Sequence, residues 1–455
     1  MNNLHIEKDS LGSDSISTDK LWGIHSQRAH NNFIKSGLPQ SKYFYKALAQ
    51  VKLAACKTNI VLGYIDPAIG NAMMTAIDEM IRYNHFEYFI VDPLQGGAGT
   101  STNMNINEII AKRTNQLLKK EICSPLEHVN LHQSTNDVYP SALKVAVSYY
   151  LMDLEQNTNI LLQELQLKEK EFTRVRKIAR TELMPAVPTT LGKDFSAYAD
   201  VIGRDRWRIF KALERIRQIN LGGTAIGTGL TAPKKYIFAV CDNLKKITGL
   251  PISRAENLYD ATQNHDQIAE VFSMIKILAI NINKISNDLR LLASYKEIIL
   301  KPLQDGSSIM PGKYNPVILE MLNQICLKVI GNDNTASHAI SQGELELNAR
   351  LPLIAYLIFE SCDLLIQGID KLSTTCIRHI TADIAHCDLQ LLNEPSTSTI
   401  LIPKIGYKKA AEIAEYMIQK KTDIISACNA LSVIDHLELE ELLKAENICK
   451  LGYDE

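Results

Sequence analysis

The sequence predicts a mainly α protein built on long helices, and two features predict it. Apolar residues recur at helical spacing over long spans, with proline almost absent from them. Between these spans lie short segments rich in Gly, Pro, Ser, Thr and Asn, which neither continue a helix nor pair as central strands.

The part before Gln133 is the least regular. It holds a glycine-rich stretch, Gln95-Gly96-Gly97-Ala98-Gly99-Thr100-Ser101-Thr102-Asn103. This stretch lacks GxGxxG in a strand–turn–helix setting, so a nucleotide site carries little weight. From Leu143 the pattern turns helical: Leu143, Val147, Tyr150, Leu151, Leu154, Leu161 and Leu165 share one stripe. Ile268, Phe272, Ile275, Ala279, Ile282, Ile285, Leu289 and Leu292 form a second. A third helix is expected from Val317 to Val329, leading into another from Ala339 to Leu372, where Pro352 marks a kink or a break. A repeat of about 3.5 residues favours a bundle of nearly parallel helices. Both stripes are read as core and carry no chemistry. A second glycine-rich loop, Leu221 to Gly229, lies between helical spans and reads as a turn. The tail is expected to be a small unit of short helices, with Ser396-Thr397-Ser398-Thr399 as a linker. The expected division is an N-terminal domain over 1–133, a central helical bundle over 134–392 and a small C-terminal helical domain over 393–455.

Bulk properties exclude several classes. The chain has 455 residues, 46% hydrophobic and 22% charged, with a net charge of −2. No strong field for nucleic acid or an anionic membrane follows from that balance. Polar residues interrupt the apolar runs, so no segment is expected to reach the ~20 residues of a membrane span. The N-terminus lacks the pattern of a signal peptide. Nine cysteines, with no CxxC pair, read as reduced thiols in a cytoplasm. No structural zinc or other metal is expected.

Four polar clusters stand out: Thr100-Ser101-Thr102-Asn103; Gln133-Ser134-Thr135-Asn136-Asp137; Thr181-Glu182 with Pro185 and Pro188; and Gly306-Ser307-Ser308-Ile309-Met310-Pro311-Gly312-Lys313-Tyr314-Asn315. Taken singly, a Ser, Thr or Asn before a helix is most often a cap. Recurrence changes the weighing, because hydroxyls, amides and helix-start N–H groups together suit a small dicarboxylate. In the last cluster, Ser307 is a potential proton acceptor, Lys313 a fixed cation and Asn315 an amide. Such parts suit removal of a proton next to a carboxylate. Gly306 and Gly312 are expected to let this loop move.

Residues 306–315 match GSSxMPxKxN, a motif of the aspartase/fumarase superfamily, at every fixed position. Gly99 to Asn105, Gln133 to Asp137, Ala225 to Gly229, Leu21-Trp22-Gly23-Ile24-His25 and Ile405-Gly406-Tyr407 resemble further blocks of that family, in its order and over nearly the whole chain. The resemblance implies an aspartase/fumarase-like fold, mainly helical, in a homotetramer whose sites are shared between subunits. It implies elimination from a succinyl compound to give fumarate, without a redox or organic cofactor. By motif position, Ser307 is the general base. Thr100, Ser134, Thr135 and Ser308 hold the carboxylate that becomes the aci-carboxylate. Thr181, Lys313 and Asn315 hold the other carboxylate, and Asn136 lies near the leaving group with Thr100.

The glycine-rich run Gln95 to Ser101, and Ser134-Thr135-Asn136 where fumarases carry two serines, resemble ammonia-lyases acting on aspartate. Leu21-Trp22-Gly23 looks more like fumarase. The main departure is Glu182, where the family carries His or Gln, together with Met184-Pro185 in place of Gln-Asp. A carboxylate at 182 attracts an ammonium, or a larger cationic amine as leaving group. Three activities stay open at this point: removal of ammonia from L-aspartate, a fumarase reaction, and elimination from an N-substituted aspartate. A structural homologue without activity is a further alternative; retention of Ser307, Lys313, Asn315 and Thr100 weighs against it.

Overall fold

The computed structural model describes residues 4–453 and is mainly helical, with four two-stranded pairings among the described residues. The residues divide into two compact units. One comprises 1–155, 208–276 and 328–364; the other comprises 156–207, 277–327 and 365–455.

In the first unit, the antiparallel hairpin Leu4–Asp9 and Gly12–Ser17 precedes the helix Ile24–Asn32. That helix starts on a buried carboxylate. Glu108 accepts the N–H groups of Gly23, His25 and Ser26 at 2.8, 2.9 and 3.1 Å, satisfying donors a helix start leaves unpaired. The helix Lys42–Val61 is buried over most of its length, and Ala47, Leu48, Ala49, Val51, Ala54 and Ala55 are fully enclosed. Ser41 caps it, accepting Phe44 N–H at 3.1 Å. Asp66 caps the next helix, Pro67–Ile81, with proline in its first turn. Helices Thr100–Leu118 and Lys234–Thr248 pack against these two.

In the second unit, the strands Arg176–Thr181 and Met184–Thr190 form an antiparallel hairpin. A buried ion cluster supports it. Glu297 pairs with Lys177 at 2.7 Å and with Arg180, and Lys177 also reaches Asp194 at 2.8 Å. The Arg180 guanidinium lies over the Tyr295 ring at 3.9 Å. The C-terminal helices Ile402–Lys420, Ile424–Leu431 and His436–Leu442 enclose a small core of Leu401, Ile413, Met417, Ile424, Cys428, Leu439 and Leu443. Gly406, with φ 79°, interrupts the first of these helices.

Every residue of both predicted stripes is buried. They lie on the helices Thr135–Glu171 and Asp266–Ser294. Three expectations are corrected. The stretch Ala339–Leu372, expected as one helix with a kink or break at Pro352, breaks ahead of that proline: residues 339–341 end the helix Val317–Ser341, and a separate helix, Leu351–Lys371, follows. Asn348 breaks the run: its Nδ2 donates to Ala339 O and Ile340 O at 3.0 and 3.1 Å, and Arg350 N–H donates to its Oδ1 at 2.8 Å. Pro352 then falls in the first turn of the second helix, where proline costs no hydrogen bond. The expected linker Ser396–Thr399 is part of a 3₁₀ turn, Pro395–Leu401, with Thr397 buried and donating to Leu391 O at 2.6 Å. One segment, Leu351–His379, does reach the length and apolarity of a membrane span, at mean hydropathy 1.4, and 61% of that window is buried inside the protein. Gly306 also has a packing reason to be glycine. A Cβ there meets Lys313 O at 2.6 Å, so glycine is needed for close approach.

Candidate active site

In the first unit, three of the polar segments converge. Ser134 caps the helix Thr135–Glu171: Val138 N–H donates to its carbonyl at 3.1 Å and Asn136 N–H to its Oγ at 3.2 Å. Asp137 reaches back to accept Ser134 N–H at 2.9 Å, the carboxylate half of a capping box. Thr100 opens the helix Thr100–Leu118, preceded by Gly99 at φ 92°. A Cβ on Gly99 meets the Tyr139 ring at 2.2 Å, so only glycine fits between the two helix starts. The starts are joined directly, because Asn103 Nδ2 donates to Thr135 Oγ1 at 3.2 Å. Thr100 itself is exposed, and its hydroxyl donates to Gly97 O at 2.8 Å. The loop 221–229 closes the group. Asp137 Oδ2 accepts Gly222 and Thr224 N–H at 3.0 and 3.2 Å, and Asn136 Nδ2 donates to Ala225 O at 2.8 Å.

Beneath these helix starts lies a buried network that the sequence reading missed. Lys52, 1% exposed, donates to Asn130 Oδ1 at 3.2 Å and Gln133 Oε1 at 3.0 Å. Asn103 and Asn107 also donate to Asn130 Oδ1, each at 3.1 Å. Burial pulls the Lys52 ammonium down to about 7, with Asp137 opposing the shift. Burial pushes the Asp137 carboxyl up to about 6, against the three N–H groups it accepts and against Lys52. Polar residues on the face of a helix that otherwise buries alanine and leucine were the available signal.

In the second unit, the Ser307 loop is folded on itself. Gly306 N–H donates to Lys313 O at 2.7 Å, and Asn315 Nδ2 to Gly306 O at 3.0 Å. Gly312, at φ 78°, turns the chain between them. Ser307 Oγ accepts the N–H groups of Ile309 and Met310 at 3.2 and 3.1 Å. Ser308 and Lys313 are exposed. At the base of the loop a cavity of about 890 Å³ is lined by Tyr314, Asn315, Arg290, Lys301 and Asp383, among others.

Thr181 and Glu182 stand at the exposed end of the Arg176–Thr190 hairpin. Glu182 and Leu183 are the two residues between the paired Thr181 and Met184, at φ 53° and 66°. Among the described residues no hydrogen bond joins this tip to residues 306–315. The candidates thus fall into a joined group, Thr100, Ser134, Thr135 and Asn136, and two further groups, the 306–315 loop and the hairpin tip. No cluster of three or more His, Cys, Asp or Glu fit for a metal ion occurs among the described residues.

Comparison with known proteins gives a consistent result. The family described as Lyase matches residues 12–331, and one described as Fumarase C C-terminus matches 398–450. The chain is 40% identical to an aspartate ammonia-lyase of Helicobacter pylori, over 98% of each chain. It is 36% identical to one of Escherichia coli, over 99% of this chain and 97% of that one. Among solved structures it resembles the fumarate lyase:delta crystallin of Brucella melitensis bound to cobalt, with a TM-score of 0.93, 37% identity and coverage of 97% and 98% of the two chains. It also resembles a class II fumarase of Schistosoma mansoni, with a TM-score of 0.90, 29% identity and coverage of 98% and 99%.

Proposed function

Because this chain belongs to the aspartase/fumarase superfamily, we infer that it is a carbon–nitrogen lyase that removes ammonia from L-aspartate to give fumarate. The observation that carries this reading is identity of 36 to 40% with proteins named aspartate ammonia-lyase, over nearly the full chain.

Ser307 is the general base of the reading. A serine at its ordinary pKa is a poor base, so its alkoxide needs donors. Two backbone N–H groups already aimed at Ser307 Oγ, those of Ile309 and Met310, suit that need. The alkoxide takes the proton from the carbon next to a carboxylate, and the electron pair moves onto that carboxylate as an aci-carboxylate. Thr100, Ser134, Thr135 and Ser308 hold it, helped by N–H groups at two helix starts. The pair then returns to form the double bond, and the C–N bond breaks with ammonia leaving past Asn136 and Thr100. Thr181, Lys313 and Asn315 hold the second carboxylate. Glu182 adds an anionic group suited to the substrate ammonium. No cofactor enters this scheme.

The substrate class, a small dicarboxylic amino acid, follows from the family. A homotetramer is our further reading. Large exposed apolar side chains on long helices support it: Trp207, Phe210, Leu291 and Leu327. A cytoplasmic setting is supported by nine cysteines that are all free thiols. A substrate panel on the purified chain, read by the ultraviolet absorbance of fumarate, tests the activity. Turnover of L-aspartate is expected. Turnover of malate or an N-substituted aspartate with none of L-aspartate rejects the reading.

A further inference from the structure

Asp137 is fully buried in the first turn of the helix Thr135–Glu171. Its two oxygens accept three backbone N–H groups, from Ser134 on one side and from Gly222 and Thr224 on the other. Such charge-assisted bonds are stronger than those to a neutral acceptor. They pin the loop 221–229 to the helix start. The loop has little freedom to sit elsewhere, since a Cβ on Gly227 meets the Leu258 backbone at 2.4 Å.

The neighbouring residue, Asn136, is tied to the same region twice. Its Nδ2 donates to Ala225 O at 2.8 Å, and its own carbonyl accepts Asn220 Nδ2 at 2.8 Å. A carbonyl partner decides which way an amide faces, because only the NH₂ end can donate to it. Asn136 Oδ1 is therefore the end left to accept. An ammonium has only donors to offer, so an accepting oxygen is the matching group.

We propose that Asp137 is a positioning residue: by clamping the 221–229 loop, it fixes the Asn136 amide so that Oδ1 is offered to the substrate's ammonium. This rests on the reading that Asn136 lies at the leaving group. Without the clamp the Ala225 carbonyl shifts, the amide turns over, and an NH₂ faces the ammonium.

The test is a double-mutant cycle on the full chain, with kcat and KM for L-aspartate and inhibition by succinate, which lacks the amine. Asn136→Ala is expected to lower kcat/KM at least about tenfold. Asp137→Asn puts a donor against a backbone donor, and by itself it should have a similar effect. The double variant should be no worse than Asn136→Ala, within about twofold, and the succinate inhibition constant should stay within about twofold throughout. Asp137→Asn lowering kcat/KM by the same factor in both backgrounds, or not at all, overturns the positioning role. An ineffective Asn136→Ala overturns instead the placement of Asn136, and the proposal with it. Should Asp137→Asn not fold, Asp137→Glu, which keeps the charge but moves the carboxylate by one methylene, takes its place in the cycle, where non-additive loss again supports the proposal and additive loss overturns it.

Discussion

Around Thr135, several amides and hydroxyls are held by buried groups from separate stretches of chain, among them Asn103, Asp137 and Asn220. Around Ser307 the hydrogen bonds of residues 306–315 run within the loop or to Val317 among the described residues, and Ser308 to Tyr314 are exposed. Both regions offer similar groups, but one is preorganised by the core and the other only by itself. Groups that hold a charge in place gain from rigidity, since they cost no reorganisation as the charge develops. A loop that carries the base gains from being able to adjust around a substrate. The contrast matches the division of labour proposed for them.

Three experiments sharpen or break the comparison. The largest effect is expected from Ser307→Ala, which should lower kcat on the order of 10²–10⁴-fold as removal of a general base does. Thermal stability should stay unchanged, because among the described residues Ser307 Oγ bonds only its own loop. Retained turnover, measured as fumarate formed, removes the base assignment.

Next come two glycines with similar backbone and opposite surroundings. Gly99 at φ 92° has the Tyr139 ring 2.2 Å from an added Cβ; Gly312 at φ 78° has nothing within 4 Å. Gly99→Ala should cost about 3 kcal/mol or more in denaturant unfolding, combining strained backbone with overpacking. Gly312→Ala should cost about 1 kcal/mol, from backbone strain alone. Equal losses contradict the claim that only one region is held by the core.

The smallest effect concerns the far end of the helix that begins at Thr100. Arg113 grips Glu79 through Nε at 2.7 Å and Nη2 at 2.8 Å. The Arg113 guanidinium, with His85, holds the Glu79 carboxyl down to about 2. A depressed carboxyl stabilises the fold above its unfolded value of 4.5, and that contribution is lost as pH falls from there toward about 2. Solvent screening limits it to about 1 kcal/mol. Arg113→Ala should therefore lower stability at pH 6 slightly and flatten its decline between pH 4.5 and 2, as followed by urea unfolding. Loss of turnover at neutral pH in this variant contradicts the picture of a rigid cluster insulated from the far end of its helix.

Much of the fold was legible because long helices write their buried face at a fixed spacing. Leu143 to Leu165 and Ile268 to Leu292 show this, every member of the two stripes being buried. The helix-start blocks were legible as polar punctuation. Polar residues that serve the interior were not. Lys52 reads as a surface charge until Asn130 and Gln133, far along the chain, are brought to it. Asn348 reads as an ordinary helix residue until its side chain claims the carbonyls of the preceding helix. Ser396 to Thr399 has the composition of a linker, but Thr397 satisfies its hydroxyl on Leu391 O and can be enclosed. The site itself was legible only as separate blocks. Local sequence lacks the long-range pairing of Asn103 with Thr135, or of Asp137 with Gly222.

The hairpin tip has a practical consequence. Glu182 and Leu183 both occupy left-handed backbone, which favours Asn-Gly in a two-residue turn. Neither side chain is the thermodynamic choice for its position. An engineer can therefore write Asn-Gly there and gain about 1 kcal/mol of turn stability while erasing the carboxylate. Such a variant separates robustness from substrate choice: a higher melting temperature with an altered preference among amines marks Glu182 as a tuning point for redesigning the enzyme.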